Sequence, residues 1–318
     1  MTLVFLFPGQ GAQKIGMGQA LANAHPLARE TYALADRVLG VPLSTLCWEG
    51  PADELTRSVN AQPALLTHSI AAWRLVDGAG LTPAWVAGHS LGEYSACVAA
   101  GALSFEDALR LTRRRGELMT QAGIDHPGTM AAILGLDRAS VDALCEEASS
   151  AGMVRAANLN APGQIVISGE IAAVERACEL AKARGAKRAL RLQVSGAFHS
   201  PLMASAADGL AAAIDAAEWR DARCPIVANV SAEPVQRASD IRAALKAQLL
   251  GAVRWEDTMR RLVSERASAL ELGTGTVLRG LLRTLDPQIA SLNVDDSDSL
   301  TAALATLGAP STAGREGA

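Results

Sequence analysis

The chain has 318 residues, of which 49% are hydrophobic and only 3% aromatic, and a formal net charge of −4. A chain of this length can bury a large core, in one large domain or in two modest ones. A core rich in alanine and aliphatic side chains favours helices packed on a β-sheet over an all-β sandwich. The negative charge, without a basic stripe, argues against a nucleic-acid partner.

The cysteines and the N-terminus predict the compartment. The five cysteines are scattered and form no C-x-x-C pair, which is typical of free thiols in a reducing compartment. The apolar segment Leu3–Phe7 follows no basic residue and is stopped by Pro8, so it predicts a strand and not a signal peptide. No run approaches the roughly 18 apolar residues of a membrane span. We therefore predict a cytoplasmic protein with no membrane partner.

Strand and helix patterns alternate in the first part of the chain. A strand at Leu3–Phe7 and an apolar run at Ala84–Ala87 are separated by helical patterns. This alternation predicts a parallel sheet covered by helices on both faces. The predicted helices are Gly16–Ala24, Leu27–Leu39, Gln62–Gly78 with Pro63 near its start, Leu91 to about Ala100, and one that runs from the capping pair Ser104 and Asp107 to about Met119.

From about Thr129 the pattern changes to β-α-β-β-α-β, the order of a ferredoxin-like fold. We therefore predict a large α/β-hydrolase-like parallel-sheet domain, residues 1–126 and 197–307, with an inserted small ferredoxin-like α+β domain, residues 127–196. The small, polar residues 308–318 are expected to form a disordered tail. The predicted elements are Met130–Leu134, Ala139–Ala148, Met153–Asn158, Gln164–Ser168, Glu170–Arg184 and Arg188–Val194, then strands at Pro225–Asn229, Ala269–Leu272 and Ile289–Leu292.

Gly88-His89-Ser90-Leu91-Gly92 is the most informative motif in the sequence. It lies between an apolar run and a predicted helix, the context of a G-x-S-x-G nucleophile elbow. Such a turn exposes the serine hydroxyl at a helix N-terminus, where free N–H groups stabilise developing negative charge. Ser90 in this place predicts acyl transfer or hydrolysis through a serine ester. The alternative is an ordinary glycine-rich turn between a strand and a helix.

A serine nucleophile needs a base, and histidine is the usual one. His89 adjoins Ser90, so its side chain is expected to point away from the serine while lining the same mouth. His199 lies where the predicted small domain rejoins the large one, a place where clefts form, and we favour it as the base. The alternative is that it caps a helix starting near Pro201. The other three histidines are in polar loops or within a helix, and we expect no catalytic role for His25, His68 and His126.

Arg115 lies on the apolar face of its predicted helix, four residues after Leu111. A buried arginine needs an anionic partner. From the residues alone, an internal Asp or Glu is the preferred partner, and a substrate carboxylate held by a bidentate fork is the alternative.

The loop Pro8–Gln13 follows the first predicted strand. Its glycines allow close approach to a ligand, and its N–H groups could complete an oxyanion hole. It lacks the G-K-[ST] ending of a phosphate loop. The sequence also shows no metal-ligand spacing of His, Asp or Glu, so no metal is expected.

A set of segments in a fixed order adds to these motifs. They are Phe7–Gln13, Gln62–Leu65, Gly88–Ala96, Arg115-Gly116 with Met119, Asn160–Gln164, Ser195–His199, Gln248-Leu249 with Val253–Trp255, and Glu271–Gly273. In these segments the chain closely resembles the malonyl-CoA:acyl-carrier-protein transacylases of bacterial fatty acid synthesis, from about residue 3 to 295. One departure is Ala252, where this family often has proline.

The resemblance implies a ping-pong S-malonyltransferase that moves malonyl from malonyl-CoA to the thiol of an acyl carrier protein. Ser90 would be the nucleophile and His199 the base, oriented by the backbone carbonyl of Gln248 in place of an aspartate. Arg115 would bind the malonyl carboxylate, which reverses the preference for an internal partner. The backbone N–H groups of Gln10 and Leu91 would form the oxyanion hole, and the expected cleft-lining residues are His89, Met119, Asn160 and Gln164. The resemblance also implies a monomer that needs no cofactor beyond its CoA thioester substrate.

Four alternatives remain at this point. Within the same fold, the chain could be a malonyl acyltransferase serving a polyketide synthase, an acyl-carrier hydrolase or a transferase subunit of a malonate decarboxylase. Arg115 argues against a hydrolase of neutral acyl chains, and Gly196–His199 resembles the malonyl-selective form of polyketide acyltransferases. A non-catalytic docking subunit is the fourth alternative, and the intact Ser90 and His199 argue against it.

Overall fold

The structure, a computed structural model, describes residues 2–308, in which ten strands and fourteen α-helices are present. The strands are β1 Leu3–Phe7, β2 Trp85–Gly88, β3 Thr129–Leu134, β4 Val154–Ala161, β5 Gln164–Gly169, β6 Arg188–Arg191, β7 Ile226–Val227, β8 Pro234–Val235, β9 Ser268–Leu272 and β10 Ser291–Val294. The helices are α1 Gln19–Ala24, α2 Pro26–Leu39, α3 Leu43–Glu49, α4 Ala52–Thr56, α5 Ser58–Gly78, α6 Gly92–Ala99, α7 Phe105–Asp125, α8 Arg138–Ala148, α9 Ile171–Ala183, α10 Ala204–Ala216, α11 Ala238–Gln248, α12 Trp255–Ser264, α13 Val277–Leu285 and α14 Ser297–Leu307.

The larger sheet has the strand order β10-β9-β1-β2-β7-β8. All its pairs are parallel except the short edge pair of β7 with β8. Every residue of β1 and of β9 is buried, as expected for central parallel strands covered on both faces. The predicted α/β-hydrolase-like parallel-sheet class is therefore confirmed.

The smaller sheet is antiparallel, with the order β4-β5-β3-β6. Helices α8 and α9 pack against it around a separate aliphatic core that includes Ile133, Val141 and Ile167. This is the predicted ferredoxin-like α+β unit, and its elements all fall between residues 129 and 191. The boundaries 127 and 196 themselves stay a prediction.

Some element boundaries differ from those predicted. The first helix begins at Gln19 because Gly16 and Gly18 have left-handed φ angles of 86° and 74°, which cannot continue a right-handed helix. Helix α5 begins at Ser58, so Pro63 lies inside it and not near its start. Packing outweighs the proline penalty here, since every residue from 61 to 72 is buried.

Two predicted strands are shorter than expected, and one predicted helix is longer. Strand β6 ends at Arg191, and Leu192 and Val194 beyond it line a cleft. Strand β7 contains two residues, because the chain leaves the ladder before Asn229. Helix α7 continues past Met119 to Asp125. The last predicted strand is also shifted, to Ser291–Val294.

The last described residue, Gly308, ends α14 with a left-handed φ of 69°. The rest of the predicted disordered tail, residues 309–318, lies outside the described residues. Within residues 2–308, no helix has the length and hydropathy needed to cross a membrane.

Candidate active site

The candidate site lies at one edge of the larger sheet, where the carboxyl ends of its parallel strands meet. Gln10 follows β1, Ser90 follows β2 and Asn229 follows β7. Helix α13, which follows β9, closes the same edge. Parallel pairing therefore brings together segments that are far apart in the sequence.

The turn at Ser90 has the geometry of a nucleophile elbow. Ser90 has a left-handed φ of 50°, a strained angle for a residue with a side chain. The two flanking positions leave no room for a side chain, so both must be glycine. A Cβ on Gly88 would lie 1.9 Å from the Gly92 carbonyl carbon, and one on Gly92 would lie 2.1 Å from the Phe7 carbonyl oxygen. The sequence motif therefore forms the predicted elbow, and not an ordinary turn.

His199 is hydrogen-bonded to Ser90. The Ser90 Oγ lies 2.8 Å from His199 Nε2, and His199 Nδ1 lies 2.9 Å from the backbone oxygen of Gln248. A carbonyl oxygen can only accept, so Nδ1 carries the proton and Nε2 is free to accept the Ser90 proton. His199 does not cap the helical turn Pro201–Met203, because the Ser200 side chain does so by accepting the Leu202 N–H. The Gln248 carbonyl has this position despite the departure at Ala252.

The environment keeps His199 neutral. Burial and the positive charge of Arg115 lower the pKa of His199 to about 3, although its hydrogen bond to Gln248 opposes the shift. A neutral imidazole is the form that can accept a proton, so the histidine is available as a base at neutral pH.

Arg115 is 1% exposed and lies behind the serine. It donates to the side-chain oxygens of Gln62 at 2.8 Å and Gln248 at 3.0 Å, and to Ser90 Oγ at 3.2 Å. Its Nε has no hydrogen-bond partner within residues 2–308. The internal Asp or Glu preferred from the residues alone is not in contact with it, since its direct partners are neutral. The guanidinium therefore has a full charge next to the serine and donor capacity to spare.

The expected oxyanion-hole groups lie on two loops that meet at the serine. Leu91 N–H is in the first turn after the nucleophile, and Gln10 is in the loop after β1. That loop is held close to the elbow, since a Cβ on Gly9 would lie 2.4 Å from the His89 carbonyl oxygen. Neither N–H donates to another group in the described part of the chain, so both are free for a ligand oxygen.

The remaining predicted residues form the walls of the same cleft. His89 Nε2 lies 2.8 Å from Asn160 Oδ1, which ties the elbow to the smaller sheet, and burial lowers the pKa of His89. Gln164 lines the cleft from the start of β5, and Met119 from α7. The cleft has a volume of about 400 Å³ between the two sheets, with Ser90 among its lining residues.

Four buried polar side chains of the site lack a role in the sequence-based prediction. Asn229 binds both ends of the elbow, at the Ser90 N–H and the Gly88 carbonyl, each at 2.7 Å. Gln62 binds Arg115, and the Gln248 side chain binds Arg115 and Glu93. Gln62, Glu93 and Gln248 lie within segments that resemble the family, which is the sequence signal for them, whereas Asn229 is marked only as the end of a predicted strand. No group of three or more His, Cys, Asp or Glu residues in the described segment could hold a metal ion.

A strained serine bonded to a neutral histidine, beside free backbone N–H groups, defines a serine acyl-transfer enzyme. The family described as "Acyl transferase domain" matches residues 4–279. Malonyl CoA-acyl carrier protein transacylase of Bacillus subtilis (strain 168) is 47% identical over 307 residues, 96% of this chain and 97% of that protein. The chain therefore belongs to the acyl transferase family, among the malonyl CoA-acyl carrier protein transacylases.

Solved structures agree with this assignment. An acyl-carrier-protein S-malonyltransferase from Bartonella henselae has a TM-score of 0.94 and 43% identity, covering 97% of this chain and 100% of that one. A malonyl-transacylase in complex with its holo type II PKS acyl-carrier protein has a TM-score of 0.93 and 43% identity, covering 96% and 100%.

Proposed function

We propose that this protein transfers the malonyl group from malonyl-CoA to the phosphopantetheine thiol of an acyl carrier protein, supplying fatty acid synthesis. The observation that carries the proposal is the contact of Arg115, a buried cation without a carboxylate partner, with the Ser90 hydroxyl. The position suits an acyl group that ends in a carboxylate, because the ester carbonyl and the carboxylate of malonyl are only one carbon apart.

In the first half-reaction, Ser90 Oγ attacks the thioester carbonyl while His199 Nε2 accepts its proton. The negative oxygen of the tetrahedral intermediate is stabilised by the N–H groups of Gln10 and Leu91. The intermediate collapses, the carbon–sulfur bond breaks, and the proton on His199 passes to the leaving CoA thiolate. The Gln248 carbonyl keeps the imidazole in the required tautomer throughout.

In the second half-reaction, the carrier thiol is the nucleophile. It gives its proton to His199, its sulfur attacks the serine ester, and the proton returns to Ser90 as the ester bond breaks. Atoms and charges balance without any further reactant.

The absence of a cofactor, the monomeric state and the cytoplasmic location stay predictions.

Arg115 also explains the choice of acyl group. A malonyl carboxylate accepts hydrogen bonds from the guanidinium, whereas an acetyl group gives the guanidinium N–H groups next to Ser90 no anionic acceptor. One missing partner of a buried charge costs several kcal/mol, so acetyl is expected to load far more slowly than malonyl.

The test is the intact mass of the protein after mixing with malonyl-CoA or acetyl-CoA, followed by a holo acyl carrier protein. We expect a malonyl adduct that is absent in Ser90→Ala and that passes to the carrier. Arg115→Ala should lower malonyl loading by about 10²-fold or more and reduce the preference over acetyl. The matched control is Arg113→Ala, on the outer side of α7, which should load normally. Equal loading of acetyl in the wild type would contradict the role of Arg115.

The acceptor has a second candidate. A related structure contains a type II PKS carrier, so the carrier of a polyketide synthase is an alternative acceptor. Comparing kcat/KM for the two classes of holo carrier separates them. An adduct that decays in water and reaches neither carrier would indicate a hydrolase.

A further inference from the structure

Glu93 is a buried carboxyl group that has no role in the transfer of malonyl through Ser90 and His199. It is 1% exposed and lies in the first turn of α6, three residues after Ser90. Its Oε2 accepts the Gln248 side-chain amide at 2.6 Å and the Asn229 backbone N–H at 3.3 Å. Burying a carboxyl group costs free energy, so a group in this place needs a physical explanation.

The side-chain amide of Gln248 joins Glu93 to Arg115. Its Nε2 donates to Glu93 and its Oε1 accepts from Arg115 Nη2 at 3.0 Å. The positive end of the amide therefore faces a carboxylate and its negative end faces a guanidinium, so each hydrogen bond strengthens the other. Glu93 is thus linked to the cation of the site without touching it, and it leaves the guanidinium free to bind a ligand.

The charges in this pocket change when a substrate carboxylate arrives. In the empty site, ionised Glu93 and Arg115 sum to zero. A substrate carboxylate on Arg115 would add a second negative charge to the pocket and leave one negative charge uncompensated in a buried region, which is strongly unfavourable. Protonation of Glu93 restores neutrality. Both of its hydrogen-bond donors use Oε2, so a proton on Oε1 leaves them in place.

We propose that Glu93 is the counterion of Arg115 in the empty enzyme and takes up one proton when the carboxylate of the acyl group binds Arg115. Glu93 is a positioning residue, since it acts on Arg115 through Gln248 and does not contact the substrate. The inference rests on the proposed function, because it assumes that Arg115 binds the malonyl carboxylate.

The groups around Glu93 agree with this role. Of the elements packed against α6, helix α7 brings the charged Arg115 toward it. Tyr94 and Cys97 face it from α6 itself, and burial raises the pKa of both far enough to keep them neutral. His199, next to Arg115, is neutral as well. Burial raises the pKa of Glu93 to about 7, against the effects of Gln248, Asn229 and Arg115, so a small change in charge nearby changes its protonation.

The first test counts protons. Ser90→Ala binds malonyl-CoA without reacting, and calorimetry in buffers of different ionisation enthalpy gives the protons taken up per ligand bound. At pH 8 we expect about one proton with malonyl-CoA. We expect none with acetyl-CoA, which has the same phosphates without the acyl carboxylate. The matched control is the double variant Ser90→Ala/Glu93→Gln, which should bind malonyl-CoA with no uptake.

The second test is the pH dependence of binding. Because binding and proton uptake are linked, the Kd of Ser90→Ala for malonyl-CoA should rise about tenfold per pH unit above pH 7. In the double variant the Kd should not change over the same range. Uptake or a pH slope that persists in the double variant would place the proton on another group and overturn the inference.

A third measurement does not use a Glu93 variant, so it stays decisive if the Glu93→Gln protein does not fold. Infrared difference spectra of Ser90→Ala with carbon-13-labelled malonyl-CoA separate the ligand bands from those of the protein. A new protonated-carboxyl band from the protein is expected on binding, and its absence would contradict the inference. If the proposed function itself were wrong, the result would be different: malonyl-CoA would neither bind Ser90→Ala nor acylate the wild type. The two kinds of failure can therefore be told apart.

Discussion

Asn229 holds the backbone of Ser90 from the turn after the neighbouring strand β7: its Oδ1 accepts the Ser90 N–H and its Nδ2 donates to the Gly88 carbonyl, both at 2.7 Å. These two bonds fix both sides of the elbow and satisfy two backbone groups next to a strained φ angle. Asn229 is 1% exposed, so no water replaces it readily.

We predict that Asn229→Ala destabilises the protein by about 2 kcal/mol, since it leaves two backbone groups near Ser90 without partners. It should also lower kcat more than it changes KM, because it alters the orientation of the nucleophile. Urea unfolding and steady-state kinetics measure the two effects. The control is Asn293→Ala, whose side chain binds Arg279 away from the elbow. Equal losses in both variants would mean that Asn229 has no special role at the turn.

The two sheets explain why so much of the fold was predictable. Apolar runs are local features of a sequence, and they predict β1, β5 and the ferredoxin-like order without any contact information. Helix boundaries depend on single residues. Pro63 predicts a helix start, but it lies inside α5, because the burial of every residue from 61 to 72 is a tertiary effect. The elbow is predictable because its glycines and serine form a short local motif, although the close contact of Gly92 is with Phe7 on the distant strand β1.

The site was only partly predictable. The single residues at the centre, such as Ser90 and Arg115, stand out by their place in a pattern. The buried polar residues that link them, Asn229 and Glu93, do not. Their function arises from contacts between residues that are more than a hundred positions apart in the sequence. The hydrogen bond between Asn229 and Glu93 is one such contact. No periodicity or spacing carries that information.

The close packing around the elbow glycines predicts that two glycine-to-alanine substitutions differ strongly in their effect on stability. In Gly92→Ala the new Cβ would lie 2.1 Å from a backbone oxygen of β1, which cannot move without breaking the sheet. We expect a loss of several kcal/mol of stability and of acylation. Gly280→Ala, within α13, places its Cβ in open space and should be neutral or stabilising by about 0.5–1 kcal/mol. Thermal unfolding of both variants checks this, and similar melting temperatures would contradict it.

The lowered pKa of His199 predicts how stability changes with acid. Its pKa is about 3 in the folded protein and about 6.5 in an unfolded chain. Between these values the unfolded chain binds more protons, so the contribution of His199 to stability is lost as the pH falls below about 6.5.

We therefore expect the wild type to lose free energy of unfolding relative to His199→Gln as the pH falls. The loss should be up to about 1.4 kcal/mol per pH unit below pH 6. Urea unfolding at pH 7 and pH 5 measures it. A constant difference between the two proteins would show that His199 is not kept neutral by the fold.

Glu271, in the chain segment that leads into α13, predicts the opposite dependence of stability on pH. Its carboxyl oxygens accept the N–H groups of Leu278 and Arg279 at the start of α13, at 3.1 Å and 2.8 Å. Leu278 and Leu281 of this helix line the cleft. Burial outweighs these bonds and raises the pKa of Glu271 to about 7. The folded protein therefore binds more protons than the unfolded chain between about pH 4.3 and pH 7, and stability is lost as the pH rises through this range.

Glu271→Gln removes the titration while keeping one oxygen as an acceptor. The stability of this variant relative to the wild type should increase by about 3 kcal/mol between pH 4 and pH 8, because only the wild type must ionise a buried group. The exposed Glu265→Gln serves as the control and should show no such change. Urea unfolding across the pH range measures the difference. A relative stability that does not change with pH would mean that the two backbone N–H groups at the start of α13 compensate the burial of Glu271 fully, so that its pKa is the same in the folded and the unfolded protein.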